Sequence, residues 1–188
     1  MVTAGEAADA REVVGADEVV VGAGEAADAR GVVALVVDPE MPMLTLDDLG
    51  VVRGVLVDGD TVTVTITPTY SGCPAIDVMR DDLRATLTQA GYQHVDVRTV
   101  FSPPWSTDWI SENGRRKLAE AGIAPPGRAR PRVTGPIPLT LTPPPAVVRC
   151  PHCGSTGTEE FSRFGPTACT ALRRCRSCRE PFEHMKEI

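Results

Sequence analysis

The clearest pattern in the chain is a strict alternation of threonine with apolar residues over 61–67, which predicts a half-buried β-strand. After a short polar stretch, apolar residues recur at every third or fourth position, and this spacing predicts an amphipathic helix: Ile76, Met79, Leu83, Leu87 and Ala90. Further apolar runs predict strands at 51–57 and 94–101 and a helix at 111–121. Asp58-Gly59-Asp60 predicts a hairpin turn between the first two strands.

A first helix is expected from about residue 24, where apolar residues follow a polar repeat. It has to end by Asp38, because Pro39 disfavours helical geometry in the residue before it. The predicted order is helix, strand, strand, helix, strand, helix, and the middle helix serves as a crossover between two strands. This order predicts an α+β domain over 24–122, with a small three-stranded mixed sheet packed with helices.

The remaining segments differ in composition. Residues 1–23 hold the first copy of an imperfect repeat, Gly5–Arg11, which recurs only once, at Gly24–Arg30, so we expect a disordered N-terminal arm rather than a solenoid. Residues 123–149 contain eight prolines and predict a semi-rigid linker with no core element. A cysteine-rich tail, 150–188, follows the linker.

The most specific motif in the tail is a pair of C-x₂-C turns, Cys150/Cys153 and Cys175/Cys178, with 21 residues between the pairs. Four thiolates in two such turns suit a tetrahedral Zn²⁺ ion, and a segment this short needs a metal to supply its folding energy. The motif therefore predicts a Cys₄ zinc ribbon with structural zinc. Iron in the same four-cysteine site is the open alternative, and paired redox cysteines are the less favoured interpretation.

A second candidate site lies between the alternating strand and the helix that follows it. Cys73 is flanked by Gly72 and Pro74, and proline suits the first position of a helix. We therefore expect Cys73 at or beside the helix N-cap, where free N–H groups and the helix dipole favour a thiolate with a lowered pKa. The alternative is a thiol that only fills space in the core. Cys169, outside the tetrad, is either a packed core thiol or a second functional one.

The charge distribution and hydropathy argue against some classes of binding partner. The net charge is −6, and residues 1–49 hold 11 acidic and 2 basic residues, which argues against general nucleic-acid binding. Neither a leader pattern nor an apolar run of membrane-spanning length is present, so a cytoplasmic location without a membrane partner is expected. The arginines near the second C-x₂-C turn predict a solvated basic face or a contact with an acidic protein: Arg173, Arg174, Arg176 and Arg179.

Three short segments resemble the iron–sulfur assembly family that includes SufT and the eukaryotic cytosolic targeting adaptor: 38–42, 48–50 and 67–74. Two more segments, 102–110 and 165–182, look like the D subunit of the bacterial phenylacetyl-CoA epoxidases, also called phenylacetate-CoA oxygenases. The resemblance covers roughly residues 24–188.

The resemblance implies an accessory subunit in aerobic phenylacetate catabolism, where the complex epoxidises the aromatic ring with O₂ and NADPH. It implies partners among the di-iron oxygenase and reductase subunits, with iron–sulfur assembly proteins as further candidates. In the wider family the cysteine matching Cys73 is the functional one, so Cys73 is expected to handle transient iron or an iron–sulfur cluster. Asp38 and Glu40 match the family's acidic loop and are expected to assist.

Other functions stay open beside the maturation hypothesis. A purely structural or docking subunit explains the ribbon and the proline-rich segment without any chemistry at Cys73. An enzyme acting alone is disfavoured, because the chain lacks a phosphate-binding glycine loop and has only three histidines. A homodimer through an exposed edge of the small sheet is also open.

Overall fold

The computed structural model describes residues 25–129 and 147–187. Its helices and strands are, in chain order, α1 (Glu25–Val33), β1 (Val52–Asp58), β2 (Thr61–Ile66), α2 (Ile76–Gln89), β3 (His94–Thr99), α3 (Glu112–Glu120), β4 (Ile123–Ala124), β5 (Thr158–Ser162), β6 (Thr170–Cys175) and β7 (Pro181–Met185). The arm expected at 1–23 and most of the expected linker lie outside the described residues.

The first sheet has the order β1-β2-β3. β1 and β2 are antiparallel and joined through the Asp58–Asp60 turn, whereas β2 and β3 are parallel. The parallel pairing requires a crossover, and α2 supplies it. The alternating residues of β2 behave as predicted, since Val62, Val64 and Ile66 are fully buried. This arrangement confirms the predicted α+β class with a three-stranded mixed sheet.

The core of this domain is closed by α2 and by the loop that follows α1. α2 buries Met79, Leu83 and Leu87, the periodic positions that predicted it. α1 ends at Val33, earlier than Pro39 requires, and Leu35 is 73% exposed. The segment after α1 is a loop rather than a continuation of the helix. It contributes three fully buried leucines to the core: Leu44, Leu46 and Leu49.

A buried carboxylate, Asp48, ties this loop to α3. Lys117 Nζ lies 2.6 Å from its Oδ2, while Asn113 and Ser111 donate hydrogen bonds to its Oδ1 at 2.8 and 3.1 Å. Burial opposes ionisation of Asp48, but these donors outweigh it and hold its pKa at about 2. Helix and loop approach closely because Gly114 has no side chain: a Cβ there would lie 2.7 Å from the Asp48 carbonyl oxygen.

The second sheet has the order β4-β7-β6-β5 and joins the tail to the first domain. β5, β6 and β7 form an antiparallel ribbon, and β4 pairs in parallel with β7, Ile123 opposite Glu183 and Ala124 opposite His184. Both β4 residues are buried. The expectation that 123–149 holds no core element is therefore wrong for its first two residues, because these complete the sheet of the ribbon.

The described helices give no candidate membrane span: none of them is both long and apolar enough.

We expect Asp48→Asn to destabilise the fold by about 2 kcal/mol at pH 7, because the lowered pKa measures how strongly the folded state favours the carboxylate. Since the pKa is lowered on folding, this contribution is present above the unfolded value of 3.8 and is lost as pH falls towards about 2. Urea unfolding from pH 7 to pH 3 measures it. Asp81→Asn, at an exposed carboxylate on α2, is the control; an equal effect at both positions contradicts the assignment.

Candidate functional site

The four cysteines predicted as zinc ligands converge in the ribbon. Their sulfur atoms all lie within 4.8 Å of one another, with Cys150 Sγ 3.7 Å from Cys178 Sγ and Cys153 Sγ 3.5 Å from Cys175 Sγ. Tetrahedral zinc with Zn–S bonds of about 2.3 Å separates its ligand atoms by about 3.8 Å. The four thiols therefore fit a zinc ion with little rearrangement. Within residues 25–129 and 147–187, no other group of three or more metal-ligating side chains comes as close.

Two similar turns present these thiols. In the first, Gly154 has a φ of 74° and donates its N–H to the Cys150 carbonyl oxygen at 2.9 Å. In the second, Arg179 has a φ of 67°, and the Cys175 N–H donates to the Glu180 carbonyl oxygen at 3.0 Å. Backbone N–H groups of this turn, that of Cys178 first, lower the pKa of the Cys175 thiol to about 6. The pKa of Cys178 in the same turn is raised to about 12 despite the Glu180 N–H, because burial and the neighbouring thiols oppose its ionisation, so Cys175 is the thiol of this turn that ionises first.

Cys73 lies in the loop between β2 and α2, close to but not at the helix N-cap. The cap is Ala75 and α2 begins at Ile76, so the expected position of Cys73 at or beside the cap is wrong by two residues. Pro74 is likewise outside the helix. The Cys73 N–H donates to the Tyr70 carbonyl oxygen at 3.2 Å, and the Cys73 carbonyl oxygen accepts from the Ile76 N–H at 3.4 Å. A turn therefore precedes the first helical residue.

The environment of Cys73 raises the pKa of its thiol. The residue is 7% exposed, and burial is the largest cause. The Ala75 N–H partly opposes it, whereas the negative charges of Glu40 and Asp38 raise the pKa further. The expected lowering is wrong because desolvation and these carboxylates outweigh the N–H groups near the helix start. Cys73 without a ligand is thus a neutral thiol at pH 7.

The two acidic residues expected to assist differ in their surroundings. Asp38 is 4% exposed, and its Oδ1 accepts hydrogen bonds from the N–H groups of Glu40 and Met41 at 2.9 and 2.7 Å. Burial raises the pKa of Asp38 despite these two donors. Glu40 is exposed. Asp38 thus shapes the loop, and Glu40 is the carboxylate that a ligand from solvent can reach.

The sequence left two roles open for Cys169, a packed core thiol or a second functional thiol. Cys169 is 3% exposed and belongs to the same apolar cluster as Cys73. Its sulfur lies 3.1 Å from Thr167 Oγ1, and its carbonyl oxygen accepts from the Lys186 N–H at 2.9 Å. Burial raises the pKa of this thiol too, and Glu40 and Asp38 act on it as they do on Cys73. The ribbon therefore brings a second thiol into the region of Cys73.

The arginines near the second C-x₂-C turn have different partners. Arg173 is buried and lies 3.5 Å from Glu160, whereas the more exposed Arg176 lies 2.9 Å from Glu159. Two exposed aromatic rings accompany the basic side chains: Arg174 lies 6.0 Å from the centroid of the Phe161 ring, and Lys186 lies 5.8 Å from that of Phe164. Sequence spacing did not indicate this aromatic and basic surface of the ribbon.

Two protein families match separate parts of the chain. A family of iron–sulfur cluster assembly proteins matches residues 27–98, and the PaaD zinc β-ribbon domain matches residues 135–186. The two matches define a class of protein in which an iron–sulfur assembly domain is followed by a zinc ribbon.

Relatives resemble this chain over different lengths. An Escherichia coli (strain K12) protein, provisionally named as the D subunit of 1,2-phenylacetyl-CoA epoxidase, is 44% identical over 151 residues, covering 80% of this chain and 86% of that protein. The Fe-S protein maturation auxiliary factor of Porphyromonas gingivalis is 38% identical over 85 residues, covering 44% of this chain and 80% of that protein. A crystal structure of the DUF59 domain from Bacillus anthracis is 26% identical and has a TM-score of 0.47, covering 50% of this chain and 90% of that chain.

The chain belongs to the family of the phenylacetyl-CoA epoxidase D subunits.

We expect Cys175→Ser to lose the metal from the ribbon, because three thiols and a hydroxyl bind zinc far more weakly than four thiolates. The variant is expected to release zinc and to lose amide-exchange protection in β5, β6 and β7. Elemental analysis and hydrogen exchange measure the two effects. Cys169→Ser, which removes a ribbon thiol outside the tetrad, is the matched control and keeps one zinc per chain. Retention of zinc by Cys175→Ser contradicts the site.

Alkylation of Cys73 reports its pKa. We expect Cys73 to react with iodoacetamide more slowly at pH 8 than an unstructured cysteine does, because its raised pKa leaves little thiolate. Glu40→Gln removes a negative charge that opposes the thiolate, so it lowers this pKa and increases the rate. Peptide mapping by mass spectrometry resolves Cys73 from the other thiols. Asp77→Asn, an exposed carboxylate in the first turn of α2, is the control, and a larger effect there contradicts the assignment.

Proposed function

We propose that this protein is an accessory maturation factor for the metal centres of a multicomponent phenylacetyl-CoA epoxidase, and that it receives and releases iron or an iron–sulfur cluster through Cys73. The observation that carries the proposal is a buried thiol beside two carboxylates, in a chain similar to an epoxidase D subunit and to a maturation auxiliary factor. The iron or cluster is cargo, and the zinc of the ribbon is structural.

The chemistry at Cys73 is ligand exchange without electron transfer. When cargo arrives, an Fe–S bond forms to Cys73, the thiol proton passes to solvent, and one bond between the metal and the donor's ligand breaks. When a thiolate or carboxylate of the client replaces Cys73, the cysteine takes up a proton again. Because the free thiol has a raised pKa, protonation of the departing sulfur favours release at neutral pH.

The carboxylates have separate roles in this scheme. Asp38 holds the loop through its two backbone hydrogen bonds, so its part is to position Glu40 and the residues around it. Glu40 is exposed and its charge acts on Cys73, so it can contact incoming cargo. Carboxylate oxygen and thiolate sulfur are both ligands for iron.

A structural or docking subunit is the second candidate function. The observation that favours it is the exposed aromatic surface of the ribbon, where Phe161 and Phe164 are 56% and 79% exposed. Exposed aromatic residues beside arginine are typical of protein interfaces. In this case the protein binds the other epoxidase subunits tightly and Cys73 is dispensable.

The two functions are distinguished in a host strain that lacks this protein. We expect the Cys73→Ala protein to leave phenylacetate growth and the iron content of the purified oxygenase and reductase at the level of the deletion strain. Ser71→Ala, at an exposed neighbour in the same loop, is the control and restores both. Full restoration by Cys73→Ala, with co-purification of the subunits retained, refutes maturation through Cys73 and supports the docking function.

A further inference from the structure

The ribbon contributes a thiol to the interior of the assembly domain. Cys169 precedes β6 and lies outside the metal tetrad, yet it is packed in the apolar cluster that contains Cys73 and the core of the first domain. Met185, from the end of β7, is fully buried in the same cluster. The ribbon and the first domain thus share a core, and Cys169 lies in the part that they share.

The backbone around Cys169 is well fixed. The Lys186 N–H donates to the Cys169 carbonyl oxygen at 2.9 Å, and the Thr170 N–H donates to the Thr167 carbonyl oxygen at 3.2 Å. Gly165 packs against Thr170 so closely that a Cβ would overlap its side chain. These contacts fix the segment before β6 within the ribbon. Thr167 Oγ1 lies 3.1 Å from Cys169 Sγ and 3.2 Å from Thr170 Oγ1.

The two thiols lie in one electrostatic environment. Burial is the main cause of the raised pKa of both thiols, the charges of Glu40 and Asp38 raise both further, and a negative charge on Cys169 raises the pKa of Cys73. Burial raises the pKa of Tyr70, and the charges of Cys73, Glu40 and Cys169 raise it further. Two thiols and two carboxylates from three segments of the chain therefore lie in one region, and a bound cation there stabilises the thiolate forms beside the carboxylates.

The region around Cys73 and Cys169 offers few metal ligands. Within the described part of the chain, only the ribbon tetrad brings three or more ligand atoms within 4.8 Å of one another. No three of Cys73, Cys169, Glu40 and Asp38 come this close, so a metal held by the two thiols has to take its remaining ligands from Glu40 after a side-chain movement or from the donor or client. An incomplete ligand set suits a site that passes metal on, whereas structural sites are closed.

We propose that Cys169 is a second cargo ligand, so that the cargo site is a two-thiol site formed jointly by the assembly domain and the ribbon. This inference rests on the proposed function of Cys73 and extends it. Two thiolates with a carboxylate select a thiophilic cation, either ferrous iron or a small iron–sulfur cluster. Binding forms a bond from iron to each sulfur, breaks two bonds from iron to the donor's ligands or to water, and releases two thiol protons to solvent, with no change in oxidation state.

The test is an anaerobic titration of the full-length, zinc-loaded protein with Co²⁺, a spectroscopic stand-in for Fe²⁺. We expect one Co²⁺ to bind per chain with near-ultraviolet thiolate charge-transfer absorbance from two sulfurs. Cys73→Ser and Cys169→Ser are each expected to remove about half of that absorbance and to weaken binding by at least the roughly 10–100-fold loss typical of outer-shell changes. Thr167→Val, beside Cys169, is the control and retains the two-sulfur absorbance.

Zinc analysis after the titration shows that the ribbon is intact in each variant. Phenylarsine oxide, which bridges two adjacent thiols, gives a second measurement on the unmutated protein, so the test does not depend on the serine variants folding. A single arsenic joining the Cys73 and Cys169 peptides supports the proposal. Unchanged Co²⁺ absorbance in Cys169→Ser, or arsenic found only within the tetrad, overturns it.

Failure of this inference is distinguishable from failure of the proposed function. If Cys73→Ala abolishes client iron loading in cells while Cys169→Ser leaves both loading and Co²⁺ binding unchanged, Cys73 works without the ribbon thiol. If both variants lose Co²⁺ binding while client loading is unaffected, the two-thiol site exists but maturation does not depend on it. Parallel titration with Fe²⁺ and with a reconstituted cluster identifies which cargo the site accepts.

Discussion

The parallel pairing of Ile123 and Ala124 with β7 determines where the zinc ribbon lies on the rest of the protein. Only two residues pair, but both are buried, and the chain enters them directly after α3 ends. The pairing completes the sheet of the ribbon with a strand from the first domain. Because β7 continues to Met185 in the shared core, the position of the ribbon and the closure of the first domain depend on each other.

This arrangement explains the character of Cys73. Cys73 is buried in the same apolar cluster as Cys169 and Met185 of the ribbon. Burial in this cluster and the charges of Glu40 and Asp38 keep the free thiol protonated. A thiol of this kind resists oxidation, and it binds a metal only by losing a proton. These properties suit transient binding of a metal better than permanent coordination.

The parts of the structure that local patterns encode were predictable. Alternation identified β2, three-to-four spacing identified α2, and two C-x₂-C turns identified the metal tetrad, because each signal lies within one element or follows from ligand chemistry. The pairing of β4 was not predictable, since two residues beside prolines carry no periodicity. The contact between Cys169 and the core around Cys73 joins distant segments, and the pKa of Cys73 depends on burial, which a motif does not contain.

The shared core also has a consequence for synthesis of the protein on the ribosome. The first domain emerges well before the ribbon, and its apolar surface stays uncovered until β7 has been translated and has paired with β4. A nascent or truncated chain therefore presents that surface to chaperones and proteases. A chain that ends before Cys169 also lacks the second thiol of the proposed cargo site. Under the proposed function, only a chain translated past Cys169 carries the whole cargo site.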